Sequence, residues 1–250
     1  IESESKSFIN KQLISIKSKI NVEYDEIYYF VDYDFNKNID SNTEFIKYTN
    51  PFEIDKSAKV YAFSNFQIRG MYRSNVPKKF IKSNTISATF FKKPNNYSIN
   101  IKSVYNPQYH AGGPEGLLDG ILGTENWRKG DWQGYQSQDF EAVVDLKEVK
   151  NVTEISVRFL QDQRSWILMP TKVDYYISED NVNFTYFSSV ANTLDPKVEE
   201  NTILNFTSNE TKGKKARYVK VIAKNFGKLP EWHQGAGGDA FIFVDEITIK

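Results

Sequence analysis

FLQDQRSWILMPTKVDYYISEDNVNF (Phe159 to Phe184) and WHQGAGGDAFIFVDEI (Trp232 to Ile247) decide how this chain reads. Each joins a loop rich in Trp, Arg, His or Gly to a run with strand periodicity. In the first, Val173, Tyr175 and Ile177 point one way and Asp174, Tyr176 and Ser178 the other, the two-residue period of a half-buried strand. Similar alternation recurs at 142–146, 154–159, 216–223 and 241–249, with turn residues between, while helix-period stripes are scarce. The fold class is therefore all-β, an antiparallel sandwich or jelly roll with ligand contacts delegated to its loops. Neither stretch holds a nucleophile beside a base. The chain reads as one that holds a ligand rather than one that transforms it.

Working outward, composition divides the 250 residues. Residues 1–100 contain one glycine, Gly70, and neither Trp nor His; residues 101–250 carry the other twelve glycines, all four tryptophans and both histidines. Charge steps too, from 15 basic against 11 acidic side chains to 17 against 21. Two modules are expected, residues 1–94 and 95–250, joined at KKPNN (92–96), where Pro94 and two Asn discourage regular structure. The first reads as a small immunoglobulin-like sandwich with strands at 13–20, 27–33, 58–63 and 86–91. Over the whole chain 32 basic and 32 acidic residues cancel, which argues against nucleic acid or an anionic membrane as the main partner. Cysteine is absent, so there is no disulfide framework, and no apolar run is long enough to span a membrane. The start, IESESKSF, lacks the apolar stretch of a signal peptide and reads as the cut end of a longer protein.

Five motifs, in order, carry a family resemblance: LLDGILGTENW (117–127), DFEAVVDL (139–146), VDYYISEDNVNF, ARYVKVIAKN and the closing VDEITI. Together they resemble a discoidin-type (coagulation-factor type C) domain, the β-sandwich shared with the galactose-binding-like family 32 carbohydrate-binding modules, over residues 98–250. The wording of QYHAGGPEGLLDGILGT, WQGYQSQDFEAVVDL, FLQDQRSWILMP and LPEWHQGAGGDAFIFVDEI is similar to the C-terminal tails of bacterial family 20 β-N-acetylhexosaminidases. IYYFVDYDFNKNIDSNTEFIKYTNPFEIDKSAKVYAF resembles the small chitobiase-type sandwich that follows their catalytic barrel, with Tyr33 where that family has a turn glycine. The resemblance implies that a catalytic domain of the same polypeptide lies upstream. It also implies a bacterial protein that is periplasmic, cell-surface or secreted.

The discoidin resemblance further implies a structural calcium ion where the "DG…T" loop meets the last strand. Asp119, Thr124 and Glu246 would supply oxygens, with loop carbonyls completing the shell a hard cation wants. Ile121 and Leu122 stand where many relatives place polar residues, and the alternative is that Asp119 only caps the turn. Asp32, Asp34, Asn36, Asn38 and Asp40 alternate like a calcium loop, but Lys37 and Thr43 occupy the positions that need Gly and Glu, so a solvated turn is expected.

A saccharide presents an apolar ring face and a rim of hydroxyls, so its site needs an aromatic plate beside fixed donors and acceptors. Trp132, Trp166 and Trp232 lie in expected loops beside such partners: Asp131 and Gln133, Arg164, and His233. Tyr109 and His110 make a fourth group. Each of these tryptophans serves either as a plate or as packing, and Trp127 is expected in the core. His110 and His233 precede the Gly-rich turns HAGG and HQGAGG, where they either meet sugar hydroxyls, together in one site or singly, or hold the loop. Two histidines alone make a poor zinc site, and HAGGPEG lacks the Lys of a phosphate loop. Asp139 and Glu141 share a strand face and do not form a glycosidase dyad; Asp162 and Arg164 are expected as an ion pair supporting Trp166. The sequons at Asn151, Asn183, Asn205 and Asn209 matter only in a eukaryotic secretory pathway. The apolar run 166–169 lacks the flanking basic cluster of a membrane spike.

These observations set the expected function: a non-catalytic, glycan-binding accessory region of a hexosaminidase-like enzyme, reading galactose- or N-acetylhexosamine-containing glycans through loop aromatics. The competing expectation is a structural module that packs on the catalytic barrel and has no glycan site.

Overall fold

The computed structural model describes residues 1–19, 24–67 and 80–250. They form two compact units, Ile1–Lys93 and Pro94–Lys250. Regular structure is almost entirely strand. Gly70 and Ile20 lie outside the described residues.

In the first unit the strands are β1 (Ser7–Phe8), β2 (Gln12–Ile14), β3 (Tyr24–Asp32), β4 (Ile46–Lys47), β5 (Phe52–Ile54), β6 (Ala58–Gln67), β7 (Ile81–Lys82) and β8 (Ile86–Lys92). One sheet runs β1-β8-β6-β3-β4, with β7 also on β6, and β2 pairs with β5 in a short second sheet. The alternation of β6 explains the layering: Ala58, Val60 and Ala62 face inward and join Phe8, Ile14, Ile16, Ile54 and Phe90 in a single core. β2 is shorter than the run 13–20 suggests. Gln12 and Ile14 turn inward, Leu13 is exposed, and Ser15 only bridges to Glu2. In the acidic turn Asp32 accepts the backbone N–H groups of Asp34 and Lys37 (3.1 and 3.0 Å), and Asp40 accepts that of Asn42 (3.0 Å). These carboxylates organise the turn in the way short Asp side chains do.

The second unit adds β9 (Ser98–Ile101), β10 (Gln133–Gln136), β11 (Phe140–Gln161), β12 (Lys172–Ser178), β13 (Thr185–Ala191), β14 (Thr202–Ala223) and β15 (Phe241–Ile249). β12 and β15 run as the alternation indicates. β11 and β14 are each 22 residues long and take part in both layers. The first half of β11 lies between β9 and the second half of β14, which in turn pairs with β12. The second half of β11 lies between β15 and the first half of β14. Register shifts between Asp145 and Lys150 and between Val152 and Glu154 mark the bend, where Lys147 takes a left-handed φ of 71°. A bulge costs a strand its alternation at that point. For that reason LKEVKN reads in sequence as a gap between two strands.

Phe140, Ala142 and Val144 from one layer and Val157, Phe159 and Val244 from the other meet in a common core with Tyr175 and Phe206. Burying a large apolar side chain of this kind contributes roughly 1.5–3 kcal/mol. The molecule is all-β, and this unit is a jelly-roll sandwich.

Candidate functional site

Two loops, 162–166 and 229–240, build the most elaborate surface of the second unit. The first is pinched shut by Asp162 and Ile167, whose backbone groups bond each other in both directions (3.0 and 3.1 Å). The Asp162 carboxylate accepts from the Ser165 hydroxyl (2.8 Å) and from the Trp127 indole N–H (2.9 Å). Trp166 closes the turn in a left-handed conformation, φ 65°. Its ring lies on the second loop at Gly235 and Gly238, so tightly that a Cβ on Gly235 would stand 2.5 Å from the indole. Glycine is required there for closeness, not for φ.

His233 locks the loops together. It is 3% exposed, and its Nδ1 accepts the Gly235 N–H (2.9 Å), so Nε2 carries the proton and donates to the Gln163 carbonyl (2.6 Å). The Gln234 amide donates to the Arg164 carbonyl (2.9 Å). What this clamp holds out is Trp232, which remains 41% exposed. Its ring meets that of His233 edge-on at 5.6 Å, and the Lys197 ammonium stands 5.7 Å from its centroid. Beside it opens a hollow of about 500 Å³ lined by Gln163, Arg164, Lys197, Glu199, Trp232, His233 and Gln234. Arg164 and Glu199 form an exposed ion pair at the rim.

The arrangement combines one aromatic face with donors from Arg164, Lys197, Gln163 and Gln234 and an acceptor in Glu199. It can hold a ring bearing hydroxyls. Both nitrogens of His233 are engaged by backbone, so no lone pair remains on it to take a proton from a ligand.

The structure distributes the other expected residues differently. Trp132 is 1% exposed and packs beneath the "DG" loop, its indole N–H on the Thr124 carbonyl (2.9 Å). It is a core residue and not a plate. Trp166 does not line the hollow; its ring packs on Gly235 and Gly238 and against Leu168, Leu229 and Ala240. Tyr109 is half-buried among Trp127, Phe241 and Phe243, with centroids 5.5, 5.9 and 4.9 Å away. His110 is exposed and bridges Gln133, so the two histidines line no common hollow. Arg164 pairs with Glu199, not with Asp162 as the sequence suggested. Ile167, Leu168 and Met169 are buried, which removes them as a membrane spike. Trp127 is half-buried, with the Arg128 guanidinium 4.1 Å over its ring.

Sequence reasoning missed Gln163, Gln234, Lys197 and Glu199. The first two adjoin residues it singled out. Lys197 and Glu199 sit in LDPKVEEN between β13 and β14, where Asp-Pro marks a turn and nothing marks a ligand.

The "DG" loop gathers buried acids. The Asp119 carboxylate accepts the Ile121 N–H (2.8 Å), Glu246 that of Gly120 (3.2 Å) and Asp245 that of Gly123 (2.7 Å). Arg158 pairs with Asp245 and donates to the Gly123 carbonyl (2.8 Å). Burial pushes the Glu246 carboxyl up to about 9, with the Asp119 carboxylate adding to the push, and raises Asp245 to about 7. The second oxygen of Asp245 is buried without a hydrogen bond. Thr124 is exposed. Among the described residues no three acidic or histidine side chains converge as a ready-made metal centre.

The F5/8 type C domain model matches residues 98–238, more than half of the chain, with loop 162–166 and most of loop 229–240. The chain belongs to the F5/8 type C domain family. No curated protein matches it. Among solved structures, it is similar to a family 32 module from a family 31 glycoside hydrolase of Clostridium perfringens, at 17% identity and a TM-score of 0.40. That match covers 63% of this chain and 95% of the module. The C-terminal domain of a chitobiase from Bacteroides fragilis matches at 17% identity and 0.39, over 61% of this chain and 93% of that one. A fucose-binding module of Streptococcus pneumoniae matches at 19% and 0.38, over 63% and 91%.

Proposed function

We propose that the F5/8 type C unit is a non-catalytic carbohydrate-binding module that takes a galactose- or N-acetylhexosamine-containing glycan in the hollow beside Trp232. One observation carries the reading: an indole held 41% exposed by a rigid two-loop clamp, over a hollow of about 500 Å³ with a polar rim. The ring supplies the apolar face, and Arg164, Lys197, Glu199 and Gln234 supply partners for hydroxyls. A single site of this size binds with a Kd on the order of 0.1–1 mM, about 4–5.5 kcal/mol. Its use lies in tethering, because linkage to an enzyme turns weak binding into local concentration. The linked enzyme is proposed to be a bacterial, exported family 20 β-N-acetylhexosaminidase, with the first unit as its chitobiase-type sandwich.

Titration of the isotope-labelled chain with galactose, N-acetylgalactosamine and N-acetylglucosamine tests the reading. The Trp232 indole resonance shifts with at least one of them, and Trp232→Ala abolishes saturable binding. A glycan array without a single galactose or hexosamine ligand overturns it.

A second reading, packing against a neighbouring domain, has support in the first unit alone. Tyr28 and Phe63 stack at 5.4 Å and Phe45 meets Phe63 at 4.8 Å, on the sheet face opposite the core. Such a row of half-buried rings suits a covered surface.

The buried acids bear on calcium. Asp119, Glu246 and Asp245 crowd a loop with Arg158 as the counter-charge, and one Asp245 oxygen has no partner, a donor set short of positive charge. Asp119, Glu246 and Thr124 with loop carbonyls would hold the ion, which would supply structural charge compensation only. Calcium at a hundred times its Kd raises stability by about 2.7 kcal/mol, reversed by chelator. An unfolding midpoint indifferent to calcium, or equally sensitive to magnesium, removes the ion from the account.

A further inference from the structure

The second half of β14 is unlike the rest of this neutral chain. Lys212, Lys214, Lys215, Arg217, Lys220 and Lys224 follow one another with no acidic residue between them. Arg217 bonds Asp145 at 2.9 and 3.2 Å, Lys224 bonds Asp139 at 2.6 Å, and Lys214 lies 5.0 Å over the Phe187 ring. Lys220 lies 4.0 Å over the Phe184 ring. Lys212 and Lys215 are exposed and make no ion pair among the described residues. Across the ladder, the bend of β11 sets Asn151 opposite Lys215 and Lys150 opposite Ala216; there Lys147 and Lys150 are themselves paired, with Asp145 (3.7 Å) and Glu148 (3.4 Å).

Next to the strip, the outer face of the sheet dips into a hollow of about 280 Å³ whose lining includes Asn100, Lys102, Asp145, Asn181 and Tyr218. The register places these on one surface: Asn100 faces Val143 and Tyr218 faces Asp145, while Asn181 comes from the turn after β12. The side-chain amides of Asn100 and Asn181 and the Tyr218 hydroxyl have no hydrogen-bond partner among the described residues. Asp145 is the one acid in the hollow's lining and is neutralised by Arg217 and Lys147 (3.7 Å), which leaves Lys102 as the unopposed charge there. None of these residues takes part in the Trp232 hollow.

We infer that this face is a second binding surface, built for an acidic polysaccharide carrying uronate carboxylates or sulfate esters. Two features meet there. A phenol ring and two free amides are directional partners for a sugar ring and its hydroxyls, whereas a charged lipid layer or a nucleic-acid backbone needs only the lysines. The basic strip supplies the charge. Between Lys212 and Lys220, two cations without an ion pair among the described residues, the strand rises roughly 25 Å, longer than one sugar, so the ligand is a polymer with repeated anionic groups.

The test uses the whole chain on immobilised polygalacturonate and heparin, with a neutral polysaccharide, phosphatidylglycerol vesicles and duplex DNA for comparison, across a salt series. Both acidic polysaccharides are retained and the neutral one is not. Lys212→Ala/Lys215→Ala weakens retention about tenfold at roughly 0.1 M salt and lowers the log–log salt slope by roughly two. Tyr218→Ala weakens it with the slope unchanged. These side chains are exposed or at the surface, and matching unfolding midpoints establish that the variants fold. No retention of either acidic polysaccharide, an unaffected double variant, or equal binding to vesicles or DNA overturns the inference.

Discussion

Trp132 and Trp232 are the same side chain in the same kind of loop of one sandwich, and they end in opposite places. Trp132 is 1% exposed and Trp232 41%. Their immediate neighbours do not account for this, since each is flanked by an acid on one side and a polar residue on the other. The difference lies in what stands across from the ring. Gly123 leaves room for the Trp132 indole, and a Cβ there would come 2.3 Å from its nitrogen. The Thr124 carbonyl takes its N–H, and the Arg158 guanidinium lies 5.4 Å over its face. A buried indole needs both the space and the acceptor. Trp232 has neither: His233 meets it edge-on, and the clamp made by His233 and Gln163 holds its backbone while the ring stays outside. Glycine and an acceptor across the gap make a core tryptophan; a locked backbone without them makes a surface one.

The largest expected effect breaks the buried side of this pair. Trp132→Ala empties a site with no solvent access and strands the Thr124 carbonyl, and it lowers stability by about 3–5 kcal/mol. For a unit of this size the unfolding midpoint falls by roughly 10 °C. A midpoint within a degree or two of the parent would mean the ring is not core. Next in size is Gly235→Ala. Its backbone is not in the left-handed region, so any penalty is steric, from a methyl placed 2.5 Å from the Trp166 ring. Overpacking of this sort costs about 1–3 kcal/mol. Because Trp166 and His233 fix the two loops together, the same change loosens Trp232 and weakens glycan binding along with the midpoint. Lowered stability with intact affinity would separate the clamp from the site.

The contrast also explains what could be read from residues alone. Strands such as β12 and β15 were legible because alternation is local: Val173, Tyr175 and Ile177 declare their face without help from elsewhere. The halves of β11 read as separate pieces because the bulge at Lys147 interrupts the period, although the strand continues. Arg164, Trp232 and His233 were singled out as ligand residues and do line one hollow. Trp132, Tyr109 and His110 were singled out on equal grounds and do not, because the partners that settle their fate lie outside their own motifs. Trp132 is decided by Gly123 and Arg158, and Tyr109 by Phe241 and Phe243, more than 130 residues away. Lys197 and Glu199 left no trace in sequence, since a charged residue in a turn is ordinary until a ring is found opposite it.

The smallest expected effect sharpens the exposed side. Trp232→Ala changes stability by no more than about 1 kcal/mol, because the ring is 41% exposed and the clamp runs through His233, Gln163 and Gln234, not through the indole. Chemical denaturation of parent and variant measures this directly, and the slope of the transition should be the same for both. The value of the experiment lies in its pairing with the sugar titration. A lectin-like plate loses binding and keeps stability. A ring that is really packing loses both, and a drop above roughly 1 kcal/mol in the isolated chain would assign Trp232 to the company of Trp132. Stability and binding both intact would leave the hollow without its aromatic face, and the reading of this unit as a glycan module would have to rest elsewhere on the molecule.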